Sequence, residues 1–160
     1  MVQPRATFCG VYGLVQATVL LAALHSEGEV YTPFADAAWI LVTALASVLA
    51  HGYAHHMAAQ REHGDAVSDL WRGLGIAVRG EWPMAAACLP TVLLLVLAGL
   101  GDWPEPVTTA TGLGMNTLIL FAWGARTALS VGYRRTSALL AGAGDAAIGV
   151  LIVLANAVLK

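Results

Sequence analysis

The sequence predicts an all-α membrane protein with five transmembrane helices and one interfacial amphipathic helix. Three observations lead there. Of the 160 residues, 58% are hydrophobic and 11% charged, with a mean hydropathy of +0.71. A soluble domain carries about 25% charged residues, so this chain has too little polar surface to cover itself in water. The apolar residues fall in separate runs near twenty residues, the length at which a helix crosses a hydrocarbon layer of about 30 Å. The basic residues, in turn, collect on alternate connections between those runs.

The first span is expected over residues 7–24, after Pro4 and Arg5. Its apolar stretch is long for a signal peptide, and no small-x-small cleavage site follows it. His25 to Pro33 is a loop broken by Gly28 and Pro33. The second span is expected over 34–57, with room to extend to His63 and stop at Gly64. Residues 65–79 read as the interfacial helix. Val67, Leu70, Trp71, Leu74 and Val78 share one side, and Asp65, Ser68, Asp69 and Arg72 the other. The third span, 83–100, opens at Glu81-Trp82-Pro83 with proline in a tolerated first turn, and Pro90 is expected to kink it. Gly101 to Pro106 makes a tight turn into the fourth span, 107–127; the fifth is 137–159. All belong to one integral membrane domain covering 1–160.

An N-terminus inside places Arg5, Arg61, Arg72, Arg79, Arg126, Arg134 and Arg135 on the cytoplasmic side and leaves only Lys160 outside. The aromatic residues agree, with Tyr31, Trp39 and Trp103 at the outer boundary and Tyr53, Trp71, Trp82, Trp123 and Tyr133 at the inner one. Glu27, Glu29, Asp102 and Glu105 make the outer face acidic. The arginine, alanine and glycine bias suggests a GC-rich bacterial genome, so the bacterial cytoplasmic membrane is the expected location. Cys9 and Cys88 are too few for a disulfide framework and read as small packing residues.

The candidate functional residues centre on Ala35 to Met57. There Thr43, Ser47, His51 and His55 recur at every fourth position and form a polar line along one helix face. Ionisable side chains inside a membrane helix are expensive, so they face protein or water. Counted at about 1.5 Å per residue, His51, His55, Glu81, Asp145 and Arg126 share the inner half of the bilayer. Asp145 needs a partner at its depth, and His51 is the basic group that gains most from it. The expected pair is a proton switch near neutral pH. Plainer readings stand beside these. His55, His56 and His63 suit an interface with solvated tips. Glu81 suits the positive end of the third helix. Gln16 and Asn116 suit interhelical hydrogen bonds. Gly112, Gly142, Ala146 and Gly149 suit close helix contact.

Several chemistries lack their residues. The chain has no His-Glu-x-x-His, no Gly-rich phosphate loop with lysine and no Gly-x-Ser-x-Gly elbow. No pair of histidines at matching depth on different helices offers haem ligation. His51 and His55, four apart, are the only weak candidates for metal ligation. No cofactor is expected, and an enzyme is not the favoured reading.

HGYAHHM from His51, EWPM from Glu81 and GDAAIGVLIVL from Gly144 resemble segments of a group of small, uncharacterised multi-pass membrane proteins of GC-rich bacteria. The likeness spans about half the chain and implies a membrane fold without naming an activity. The function expected from the residues is a proton or cation channel or carrier formed as an oligomer. His51 and Asp145 lie on its path, with His55, Glu81, Thr43 and Ser47. The alternative is an accessory or scaffold subunit of a larger membrane complex; a third is an intramembrane metal-binding protein. The expected partners are the lipid bilayer and further subunits, with no nucleic acid.

Overall fold

A computed structural model describes residues 4–24, 30–63 and 70–159. The described chain is helical throughout, without strands. Five helices follow in order: α1 (Pro4–Ala23), α2 (Pro33–His63), α3 (Leu70–Leu100), α4 (Glu105–Ser130) and α5 (Arg135–Leu159). The all-α class is as the sequence predicts; the expected helix count is six, five crossing and one interfacial.

Three of them hold segments long and apolar enough to cross a membrane: Pro33–Ala58, Gly75–Leu100 and Arg135–Val158. That is fewer than the five expected, for a compositional reason. In α1 the apolar stretch is only Phe8–Ala23. In α4, Thr108, Thr109, Thr111, Asn116, Thr117, Arg126 and Thr127 dilute the apolar residues. The outside of the bundle is nonetheless oily. Leu41, Val42, Leu45 and Leu49 on α2 are exposed, as are Leu140, Leu151, Leu154 and Val158 on α5. Such a surface is compatible with insertion into lipid.

The separate interfacial helix is corrected. From Leu70 onward its residues are the first turns of α3, which runs without a break through Pro83 and Pro90; residues 64–69 lie outside the described chain. Tertiary packing accounts for the continuity, because α2 extends to His63 and gives those turns a partner. The backbone of Val78 lies against Gly52, and Gly73 lies under the His56 ring. That contact outweighs the hydrogen bond a proline removes from a helix interior.

Each helix runs antiparallel to the next. Phe34 meets Gly99 and Val78 meets Gly52 across α2 and α3; Asp145 meets Gly124 and Thr117 meets Gly149 across α4 and α5. The centre belongs to α1, which touches all four others. Its Gly10, Gly13 and Ala17 form a small-residue face, which lets neighbouring backbones approach. Trp123 of α4 lies over Gly10, and the Met84 carbonyl of α3 over Gly13. The main apolar cluster joins Ala17 and Leu21 to Ile40, Leu95 and Leu113 of α2, α3 and α4, while α5 leans on the α4 side. Among the described residues, α2 and α5 share no contact.

Both described turns after α3 and α4 close the helix in the same way. The Tyr133 amide donates to the Ala128 carbonyl at 3.1 Å, with Gly132 left-handed at φ 94°. The Trp103 amide donates to the Ala98 carbonyl at 2.9 Å, but here the left-handed residue is Asp102, φ 48°. Glycine takes that conformation freely, and aspartate is among the few other residues that tolerate it.

Candidate functional site

The polar residues of α2 meet α1 on one side and α3 on the other. The Gln16 amide nitrogen of α1 donates to Ser47 Oγ at 2.8 Å and lies 3.4 Å from the Thr43 carbonyl oxygen. The Thr43 hydroxyl itself donates to the Trp39 carbonyl at 2.8 Å, so Thr43 joins the line through its backbone. One turn further, His51 Nδ1 sits 3.0 Å from the Ser47 carbonyl oxygen. A carbonyl only accepts, so that nitrogen carries a hydrogen and Nε2 of the neutral ring keeps its lone pair. The Tyr12 ring lies beside His51, with centroids 5.0 Å apart and tilted by 60°.

At the foot of the line stands Glu81. Because α3 begins at Leu70, Glu81 lies about three turns inside a helix, and the expected role at a helix start does not apply. It falls within the Gly75–Leu100 segment and is 1% exposed. The Cys9 thiol donates to Glu81 Oε2 at 2.8 Å. On the other side, His55 Nε2 approaches Oε1 at 3.6 Å, with the His55 side chain 55% exposed. The carboxylate thus connects a buried thiol to an imidazole open to the surroundings. Cys9 and Gln16, read as packing and glue, belong to this cluster. Their signal in the sequence was faint, since α1 reveals its inward face only once its neighbours are known.

Asp145 is elsewhere. Its carboxylate lies directly over Gly124 of α4, where a side chain would collide with it, and Gly142 lies alongside. The expected His51–Asp145 pair is therefore not formed, since α2 and α5 do not touch among the described residues. Gly124 follows Trp123, which packs on Gly10, next to the Cys9 that meets Glu81. Asp145 and Glu81 are thus linked only indirectly, through α4 and α1. Arg126 is exposed. His56 turns into the α2–α3 seam against Gly73, where its Nε2 is buried without a hydrogen-bond partner among the described residues. His63 has no described side chain. No group of three or more His, Cys, Asp and Glu is arranged to hold a metal among the described residues.

Asn116 behaves as interhelical glue. It is 0% exposed and accepts from the Thr91 hydroxyl at 2.9 Å, joining α4 to α3. Asn116→Ala is expected to weaken the bundle by ~1 kcal/mol, the size of a membrane-interior hydrogen bond. Unfolding by denaturing detergent in mixed micelles measures it; a midpoint equal to the wild type would refute the role.

No protein-family model, no curated protein and no solved structure matches this chain.

Proposed function

We propose that this protein is a small multi-pass protein of the bacterial cytoplasmic membrane, with five crossings and the N-terminus inside, that conducts protons as an oligomer. The observation that carries the reading is the nearly inaccessible Glu81 carboxylate at the foot of the Ser47–His51–His55 line. A titratable group within a membrane segment marks a pathway by default. Here two imidazoles one turn apart on α2 lead to a carboxylate on α3, which suits transfer by short hops. His51 Nε2 accepts a proton while Nδ1–H stays on the Ser47 carbonyl. His55 passes it to or from Glu81, and its exposed side chain opens to the cytoplasm.

The line is half-open on the side between α1 and α2. Gln16, Ser47 and His51 are all partly accessible there. Polar groups do not face lipid at that depth, so a second subunit closes the groove. This same half-exposure supports the second reading, an accessory or scaffold subunit whose polar line is an assembly contact. Asp145, across α1, is not on the path in this proposal. The proton reading is tested with purified protein in vesicles under a pH gradient. It expects the gradient to collapse faster than in empty vesicles; equal rates end it and leave the scaffold reading ahead.

Five crossings rest on the alternating helix directions and on exposed aromatics at both ends, Phe34, Trp39 and Trp103 against Tyr53, Trp82 and Tyr133. A periplasm-specific reporter fused after Lys160 is expected to be active. Activity of a cytoplasm-specific reporter there instead would show an even number of crossings.

A further inference from the structure

The end of the bundle remote from Glu81 carries a cavity of about 630 Å³ between the start of α2 and the α3–α4 turn. Its wall holds three aromatic side chains, Tyr31, Phe34 and Trp103, together with Asp102. Two glycines make room for the rings. A methyl group on Gly99 would come within 2.8 Å of the Phe34 ring, and one on Gly101 within 2.8 Å of the Trp103 indole nitrogen. Both rings therefore pack against the C-terminal turn of α3. Asp102 is held beside them by the left-handed turn, φ 48°, a conformation that costs aspartate more than glycine.

The surroundings are electronegative. Tyr31 has its ionisation pushed above the usual phenol range, chiefly by burial, with the Asp36 and Glu105 carboxylates adding to it and a Thr108 hydrogen bond opposing. Among the described residues, no basic residue lines the cavity. Aromatic faces beside a carboxylate attract a cation too large and too weakly hydrated to prefer water, which describes an alkylated ammonium group. An inorganic cation would want several oxygen ligands in place of ring faces.

The geometry points to a binding site for an organic ammonium group in the cavity of Tyr31, Phe34, Asp102 and Trp103. The group belongs either to a free cation or to a lipid headgroup. The site is remote from the histidine line, and the inference stands whether or not protons cross there.

The test uses the full chain in phosphatidylglycerol nanodiscs, titrated with choline chloride at constant ionic strength. Saturation transfer to the N-methyl resonance is the readout, and empty discs are the blank. The expected result is a saturable signal that tetramethylammonium displaces. Asp102→Asn and Trp103→Ala should each weaken it about tenfold, as expected for a cation–ring and carboxylate site. Asparagine tolerates the left-handed turn as well as aspartate does, so Asp102→Asn removes the charge without disturbing the fold. His51→Ala should leave binding unchanged. Repeating the titration in phosphatidylcholine discs identifies the source. Suppression of the choline signal there assigns the site to headgroups; an unchanged signal assigns it to a free cation. Absence of saturable transfer up to about 100 mM, far weaker than such sites bind, would overturn the inference, as would an unchanged signal in both variants.

Discussion

Glu81→Gln should slow proton flux about a hundredfold, the lower end of what one positioned proton-transfer group contributes. Glutamine keeps the shape and still accepts the Cys9 thiol, whose sulfur lies 2.8 Å from Glu81 Oε2 in the native protein. What it loses is the capacity to take a proton from His55, whose Nε2 lies 3.6 Å away. His51→Ala should have the same effect, because it opens a gap of two helical turns between Ser47 and His55. Asp145→Asn should leave the flux unchanged, since its carboxylate rests on Gly124 with α1 between it and the histidines. Flux is read as the decay of an imposed pH gradient in proteoliposomes, normalised to the amount of protein inserted. Should Glu81→Gln conduct like the wild type while Asp145→Asn is silent, the path lies on the α4–α5 side and the assignment made here is wrong.

Gly13→Ala should be the most damaging single-methyl change in the bundle. The added carbon would collide with the Met84 carbonyl oxygen and lie 3.1 Å from the Ala87 methyl. A backbone carbonyl inside α3 cannot swing aside, so α1 itself has to retreat. Overpacking of this kind typically costs about 1–3 kcal/mol. The retreat would also stretch the Cys9–Glu81 contact and the 3.3 Å approach of Cys88 Sγ to the Gly13 carbonyl. Gly144→Ala is the matched control, because its added methyl meets nothing within 4 Å. Alanine is the better helix former by about 1 kcal/mol, so the control should be neutral or stabilising. The two denaturation midpoints in detergent decide the matter; equal midpoints would mean that α1 and α3 are not in close contact in the membrane.

How much of this was legible in the sequence differs between elements. The helix at 137–159 and the one at 34–57 were readable because a long uninterrupted apolar run has few other solutions. The small positions Gly112, Gly142 and Gly149 were readable as contact points, and each does lie against a neighbouring helix. The polar line from Ser47 to His55 follows from helical spacing alone, whatever the helix packs against.

Other features depend on which helices become neighbours, and spacing carries no information on that. Counting residues along the helices gave Asp145 and His51 one expected depth, but α2 and α5 do not meet and each packs on α1, so an expected depth alone did not make them partners. Glu81 looked like a helix-start residue beside Pro83. The extension of α2 to His63 gave residues 70–79 something to pack on, made α3 continuous and turned Glu81 into a buried carboxylate well inside it. Cys9 and Gln16 became polar partners only when the glycine face of α1 fixed that helix at the centre. The sequence by itself determined that the chain is all-helical and where its long apolar runs and the polar line of α2 lie, because these are properties of a single helix. The tertiary structure decided which polar side chains meet, because that depends on close packing among five helices.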